Sequence, residues 1–300
     1  MTTTYVTDGG LETDLIFHHG VDLPDFAAFP LVEDERGREL LTSYFDGYAG
    51  VARRAGVGLM LESPTWRANP DWAARVGYDA PALDRANRGA IELMHTIRER
   101  HADLHDAGVV VSGTLGPRGD GYVADEHNDA DELADYHRPQ LASFKAAGAD
   151  LATALTLTGP QEGVGIVAAA RAVGLPVAIS FTVETDGRLP DGTPLREAVA
   201  LVEAAGGPDW FLVNCAYPTH IAPGLEDDGD GGEWRARIHG LRPNASRLTH
   251  AELDAAEELD EGDVGELRSA YDGLRDALPS LRILGGCCGT DVRHVAALWE

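Results

Sequence analysis

The chain has 300 residues, of which 44% are hydrophobic, and its 50 Asp and Glu against 24 Lys and Arg give a formal net charge of -26. A surface this acidic repels phosphate backbones and anionic lipid, so we expect no nucleic acid as partner. No apolar stretch approaches the roughly 18 to 20 residues that span a bilayer, so we expect no membrane as partner either. The N-terminal "MTTTYVTDGG" has neither the basic nor the apolar region of a secretory signal, which predicts a cytoplasmic protein.

Short apolar runs alternate along the chain with longer segments whose apolar residues recur at helical spacing. In chain order the runs cover residues 4–9, 56–63, 108–116, 149–158, 176–183, 209–218, 236–244 and 281–289. Strands that alternate with helices are typical of βαβ units in a parallel sheet. Eight such units in a chain of this length predict an α/β fold, a (β/α)8 TIM barrel that forms one domain over residues 1–300.

Three of the predicted strands end in unusual residues. The first ends in "DGG" (8–10), the sixth in "NC" (214–215) and the eighth in "GGCC" (285–288). Because the active site of such a barrel lies at the C-terminal ends of its strands, we expect these segments to meet on one face. Adjacent side chains in a strand point to opposite faces, so two neighbouring cysteines converge only where the chain has turned, and flanking glycines permit the φ > 0 that such a turn demands.

The only cysteines of the chain are Cys215, Cys287 and Cys288. An odd number in a reducing compartment favours metal binding or catalysis over disulfides. Three converging thiolates suit Zn²⁺, which prefers four tetrahedral ligands and keeps its fourth position for water or substrate in catalytic sites. From the spacing alone, two alternatives stay open: Cys215 as a buried core thiol, and the neighbouring pair as a redox couple.

The combination of "DGG", "NC" and "GGCCGT" resembles the homocysteine S-methyltransferases, a zinc-dependent family with betaine- and S-methylmethionine-dependent members. The similarity runs over nearly the whole chain and includes "GTLGPRGDGY" (113–122) and "SFTVETDGRLPDGTPLREAV" (180–199). The resemblance implies a (β/α)8 barrel, a zinc ion held by Cys215, Cys287 and Cys288, and methyl transfer to a thiol, with homocysteine and a methyl donor as small-molecule partners.

The chemistry implied by this resemblance needs few further groups. Metal coordination lowers the pKa of a thiol from about 8.5, so thiolate dominates at neutral pH. An in-line displacement from an onium donor needs alignment more than a general base, so we expect no catalytic residue beyond the metal site. We rank a sulfonium donor, S-methylmethionine or S-adenosylmethionine, ahead of betaine because its methyl group is more labile.

Several residues are candidates for binding substrate. By the resemblance, Asp8 faces the amino group of the acceptor, next to Gly9 and Gly10, while a plain turn carboxylate is the alternative. Asn214 is expected to orient the neighbouring ligand or to bind the substrate carboxylate. The segment "SPTWRAN" (63–69) resembles the pocket-lining segment of the family, which makes Thr65 and Trp66 candidates. An aromatic face can hold a donor cation, and a rim tryptophan without ligand is the alternative for Trp66.

One departure from the family concerns the fourth strand. The family usually carries there a glutamate that helps to hold the ammonium group of homocysteine, whereas this chain has Leu155. We expect either a relocated carboxylate, from Glu12 or Glu62, or an altered acceptor preference, with a thiol other than homocysteine or a weak homocysteine activity. A non-catalytic zinc- or thiol-binding barrel is the competing class, while a zinc hydrolase fits all-thiolate ligands less well.

Overall fold

The computed structural model describes residues 3–104, 108–124, 127–226 and 232–299. Its strands are all parallel, pair in chain order and close into a barrel through the pairing of the first strand with the eighth. They are β1 Tyr5–Val6, β2 Gly58–Glu62, β3 Val109–Leu115, β4 Leu151–Leu157, β5 Val177–Phe181, β6 Trp210–Asn214, β7 Ile238–Arg242 and β8 Ile283–Leu284. Each lies within one of the eight predicted runs, and the predicted (β/α)8 barrel is confirmed. The domain limits 1–300 stay a prediction.

Helices surround the barrel, and several begin after a residue whose side chain caps the helix N-terminus. One of the two longest begins after Asp34, whose carboxylate accepts from the backbone N–H of Gly37, and ends before Gly56, which adopts φ +68°. The helices are α1 Leu11–Phe17, α2 Glu35–Ala55, α3 Pro70–Arg75, α4 Ala80–Arg100, α5 Ala130–Ala146, α6 Pro160–Val173, α7 Leu195–Ala204, α8 Pro218–Gly224, α9 His250–Asp254, α10 Val264–Arg275 and α11 Val292–Trp299.

The two ends of the barrel differ in chemistry. A cluster of buried apolar side chains comes from positions in the first half of most strands: Tyr5, Met60, Leu151, Ala178, Trp210, Leu212 and Ile283. At or just beyond the strand ends the buried side chains are polar, as in Asp8, Glu62 and Asn214. The barrel is therefore packed at its base and carries its reactive groups at the C-terminal face. Among the described residues, no helix is long and apolar enough to cross a membrane.

A three-cysteine candidate metal centre

The three cysteines meet at the C-terminal face of the barrel. Cys215 directly follows β6, Cys287 and Cys288 follow β8, and the three sulfurs lie within 4.8 Å of one another. The Cys215 and Cys288 sulfurs are 3.5 Å apart, and all three cysteines are free thiols. Ligands about 2.3 Å from a tetrahedral zinc ion stand about 3.8 Å from each other, so the cluster fits one such ion.

A turn brings the two neighbouring cysteines together. The carbonyl oxygen of Cys287 accepts from the backbone N–H of Thr290 at 3.0 Å, and the third residue of this turn, Gly289, has φ +76°. That is the position at which a type II turn requires glycine. We expected the glycines beside the cysteines to adopt positive φ, and Gly285 does not. A Cβ on Gly285 would lie only 2.5 Å from the Asp8 carbonyl oxygen. It therefore permits close packing of two loops.

Cys215 itself has strained backbone geometry. Its φ is +57°, a left-handed conformation that costs a non-glycine residue roughly 1–3 kcal/mol. The surroundings hold it there: its N–H donates to the Arg242 carbonyl at 3.0 Å, and its own carbonyl accepts from Asn244 Nδ2 at 3.0 Å and His250 Nε2 at 2.9 Å. This conformation turns the cysteine out of β6 and towards the other two.

Asn214 connects the cysteines to the neighbouring strands. Its Oδ1 accepts from Thr156 N at 2.9 Å and from Ser180 Oγ at 2.6 Å, which fixes the amide orientation. Its Nδ2 then donates to Thr156 Oγ1 at 2.8 Å and points at the Cys287 sulfur, 3.6 Å away. Asn214 is fully buried and lies behind the cavity wall. Its position favours the role of orienting a ligand over contact with a substrate carboxylate.

Replacement of Asn214 by alanine is expected to weaken metal binding about ten- to a hundred-fold, the usual effect of removing a group that orients a metal ligand. Competition with a chromophoric chelator would measure the zinc affinity. Asn87→Ala is the matched control, because Asn87 is equally buried but lies on α4 in the outer ring of helices. Equal zinc affinity of the Asn214 variant and the wild type would show that the amide does not support the cysteines.

The surroundings of the cluster favour negative charge on one sulfur, that of Cys287, while hydrogen bonding within the cluster and burial raise the pKa values of Cys215 and Cys288. Hydrogen bonds from the thiols of Cys215 and Cys288, together with the charge of Arg242 and the Asn214 amide, lower the pKa of Cys287 well below its usual value. Although burial opposes it, the charges of Asp8 and Glu62 raise the pKa of Arg242, which stays a cation. The protein therefore provides one fixed positive charge beside the three cysteine sulfurs.

Tyr122 is a site residue that the sequence patterns did not reveal. Its hydroxyl lies 3.4 Å from the sulfurs of both Cys215 and Cys288, and its ring stacks on His250 with centroids 4.3 Å apart. Burial raises the pKa of Tyr122, so the phenol stays protonated and donates to sulfur. Its segment stands out in the sequence only by family resemblance, and no spacing rule connects a loop after β3 with cysteines after β6 and β8.

Asp8 is buried in an ion pair. Its Oδ1 accepts from Arg242 Nη2 at 2.7 Å and from Thr7 Oγ1 at 3.1 Å, and its Oδ2 accepts from the Tyr44 hydroxyl at 3.3 Å. Asp8 and Arg242 are each only 4% exposed. Asp8 borders the cavity, but its carboxylate already has three partners, which leaves little capacity for the substrate ammonium that we expected it to face.

A cavity of about 370 Å³ opens beside the cysteines at the strand ends. Seven of the nine predicted site residues line this cavity: Asp8, Gly9, Gly10, Trp66, Cys215, Cys287 and Cys288. Gly9 and Gly10 also admit close contacts, since a Cβ would lie 2.7 Å from the Thr290 carbonyl oxygen at Gly9 and 2.6 Å from that of Cys287 at Gly10. Whether either glycine contacts substrate stays a prediction.

The structure separates the two candidates of the segment after β2. Thr65 is fully buried and does not border the cavity: its hydroxyl donates to the Thr114 carbonyl at 2.7 Å, so it braces two strand ends and its predicted substrate contact has no geometric support. Trp66 does border the cavity. The Arg67 guanidinium lies 4.1 Å from the Trp66 ring centre and 3.6 Å from that of Trp72, so a protein cation already covers one face of Trp66.

A second group of possible ligands, Asp14, His18 and Asp291, also has its atoms within 4.8 Å of one another. Its members are already paired. His18 Nε2 lies 2.5 Å from Glu261, and Asp291 accepts from the Arg293 guanidinium at 2.8 Å. A metal ion would have to displace these partners, so the three cysteines are the stronger candidate.

Comparison with known proteins gives one consistent result. The family model described as homocysteine S-methyltransferase matches residues 5–300. Homocysteine S-methyltransferase of Escherichia coli (strain K12) is 30% identical over 322 residues, which cover 97% of this chain and 93% of that protein. S-methylmethionine–homocysteine S-methyltransferase BHMT2 of Mus musculus is 27% identical over 187 residues, which cover 58% of this chain and 50% of that protein.

Solved structures agree on the fold. Crystal structures of the homocysteine methyltransferase MmuM from Escherichia coli superpose with a TM-score of 0.77 for the oxidized form and 0.75 for the metallated form, both at 24% identity. The superpositions cover 98% and 99% of this chain and 94% and 96% of those chains.

Proposed function

This chain belongs to the homocysteine S-methyltransferase family, and from that premise we propose that it transfers a methyl group from an onium donor of the S-methylmethionine type to homocysteine, which gives methionine. One observation carries the proposal. Three cysteine sulfurs converge on the wall of a cavity of about 370 Å³, large enough for small-molecule substrates.

The donor set fits zinc. Cys215, Cys287 and Cys288 offer three soft sulfur ligands, whereas Mg²⁺ and Ca²⁺ take oxygen ligands. When bound, zinc would lower the pKa of the acceptor thiol so that the nucleophilic thiolate prevails at neutral pH. The metallated form of the Escherichia coli methyltransferase, a relative with the same fold, supports a metal in this family.

The remaining residues hold and shield the reacting groups. Asn214 and Tyr122 donate towards the cysteine sulfurs, and Arg242 adds positive charge next to Cys287. In the reaction, the acceptor sulfur forms a bond to the methyl carbon while the donor's carbon–sulfur bond breaks. The bonding electron pair stays on the donor sulfur, which becomes a neutral thioether, and the acceptor thiol gives its proton to solvent. The methyl step itself moves no proton, so it needs alignment and no general base.

The identity of the donor is tested with a panel. Zinc-loaded protein is incubated with homocysteine and, separately, with S-methylmethionine, S-adenosylmethionine and betaine, and methionine is quantified by mass spectrometry. We expect the fastest turnover with S-methylmethionine, the donor after which the mouse relative is named. Turnover with betaine alone would overturn this ranking. No methionine from any donor would favour the alternative of a non-catalytic zinc- or thiol-binding barrel.

A further inference from the structure

The carboxyl groups that border the cavity differ in their partners. Asp8 already accepts hydrogen bonds from Arg242, Thr7 and Tyr44, which leaves it little further capacity. Glu62, the last residue of β2, is only 3% exposed and also borders the cavity. Its Oε2 accepts from the Thr114 hydroxyl at 2.9 Å. Its Oε1 is buried and has no hydrogen-bond partner in the part of the chain that the structure describes.

An unpaired buried carboxylate oxygen is unusual, because burial removes water without replacing its hydrogen bonds. The protein cations near the cavity have other partners. Arg242 binds Asp8 and the Gly286 carbonyl, and Arg67 lies between two tryptophan rings. A ligand group that carries positive charge and donates a hydrogen bond would therefore satisfy the unpaired oxygen of Glu62.

The α-ammonium groups of the proposed substrates meet this requirement. Homocysteine and S-methylmethionine each carry one, with three N–H donors. In the proposed reaction, however, it is the acceptor that brings its sulfur to the three cysteines, and these border the same cavity as Glu62. Resting on the proposed function, we infer that Glu62 binds the α-ammonium group of the thiol acceptor and selects amino-acid thiols over simple thiols. Leu155, on the wall contributed by β4, has no charge to compete for this role.

Glu12 is the other carboxyl group that could serve. It is half-buried on α1 and borders the cavity. Burial, together with the charges of Asp8 and Cys287, raises the pKa of Glu12 to about 7. Much of this carboxyl is then neutral at neutral pH, and no positive group of the described chain forms an ion pair with it. Burial also raises the pKa of Glu62, and the charge of Arg242 opposes this effect. The two carboxyl groups differ instead in geometry, because Glu62 has a buried oxygen without a partner whereas Glu12 is only half-buried.

The test compares homocysteine with its deamino analogue, which keeps the thiol and the carboxylate but lacks the ammonium group. Binding of each thiol to zinc-loaded protein is measured by calorimetry, and kcat/KM is measured with S-methylmethionine. In Glu62→Gln we expect affinity and kcat/KM for homocysteine to fall about ten- to a hundred-fold, the usual loss for a charge-assisted hydrogen bond. The values for the deamino analogue should change by less than about two-fold, which also shows that the variant is folded.

Two further variants make the assignment specific. Glu258→Gln makes the same chemical change on the exposed rim of the cavity, and we expect it to keep the preference for homocysteine. A larger loss of preference in Glu12→Gln than in Glu62→Gln would overturn the assignment, and so would equal losses for both thiols in Glu62→Gln. If wild-type protein makes no methionine, the proposed function fails, while the calorimetric comparison still decides the role of Glu62.

Discussion

Replacement of any one of the three cysteines by alanine is expected to remove both the bound metal and methyl transfer. We predict about one zinc per chain in the wild type and a small fraction of that in Cys215→Ala, Cys287→Ala or Cys288→Ala, because three ligands are the fewest typical of catalytic zinc. Activity should fall by more than about a hundred-fold, beyond the effect of losing a group that only orients a ligand.

Elemental analysis and a methionine assay measure the two effects. Far-UV circular dichroism is the control and should not change, because the large core folds independently of a site at the strand ends, unlike small zinc domains. Full zinc occupancy in Cys288→Ala would remove that residue from the metal site. Loss of the dichroism signal on metal removal would mean that the ion also holds the barrel together.

Arg242→Met is expected to destabilise the barrel strongly. The change leaves Asp8 buried without a cation, and breaking a buried pair typically costs about 3–5 kcal/mol in the free energy of unfolding. For a chain of this size that corresponds to a fall in melting temperature of about 5–8 °C. Differential scanning calorimetry would measure it.

The matched control is Arg53→Met, which removes an exposed ion pair with Asp103 and should cost less than about 1 kcal/mol. The loss in Arg242→Met should also depend on pH. Burial already raises the pKa of Asp8 in the wild type, and loss of the Arg242 charge raises it further. The variant therefore retains stability at low pH and loses it as the pH rises through that higher pKa. Equal melting temperatures for the two variants, at every pH, would show that the buried pair contributes no net stability.

The barrel and its cysteines could be predicted because both rest on short-range patterns. Each strand is an apolar run bounded by polar or glycine-rich residues, and chain-order pairing places the ends of β6 and β8 on the same face. Cys215 and Cys287 therefore had to approach one another. The turn at Gly289 followed from the same reasoning, since neighbouring cysteines can converge only outside a strand.

The partners of the polar residues could not be predicted, because they are set by contacts across the barrel. Asp8 and Arg242 are far apart in the chain and meet only because β7, β8 and β1 are neighbours. That contact occupies the carboxylate expected to bind substrate. The absence of a glutamate at Leu155 indicated a changed pocket, but the sequence could not show that Glu62 has a buried, unpaired oxygen whereas Glu12 is only half-buried.

The most direct test of zinc-dependent methyl transfer is a single-turnover experiment with two labels. Metal-free protein and protein reloaded with one equivalent of zinc are each mixed with isotopically labelled homocysteine and with S-methylmethionine that carries deuterated methyl groups. We predict methionine containing both labels from the zinc-loaded protein and none from the metal-free protein. Equal yields from the two samples, or no doubly labelled methionine from the zinc-loaded protein, would contradict the account.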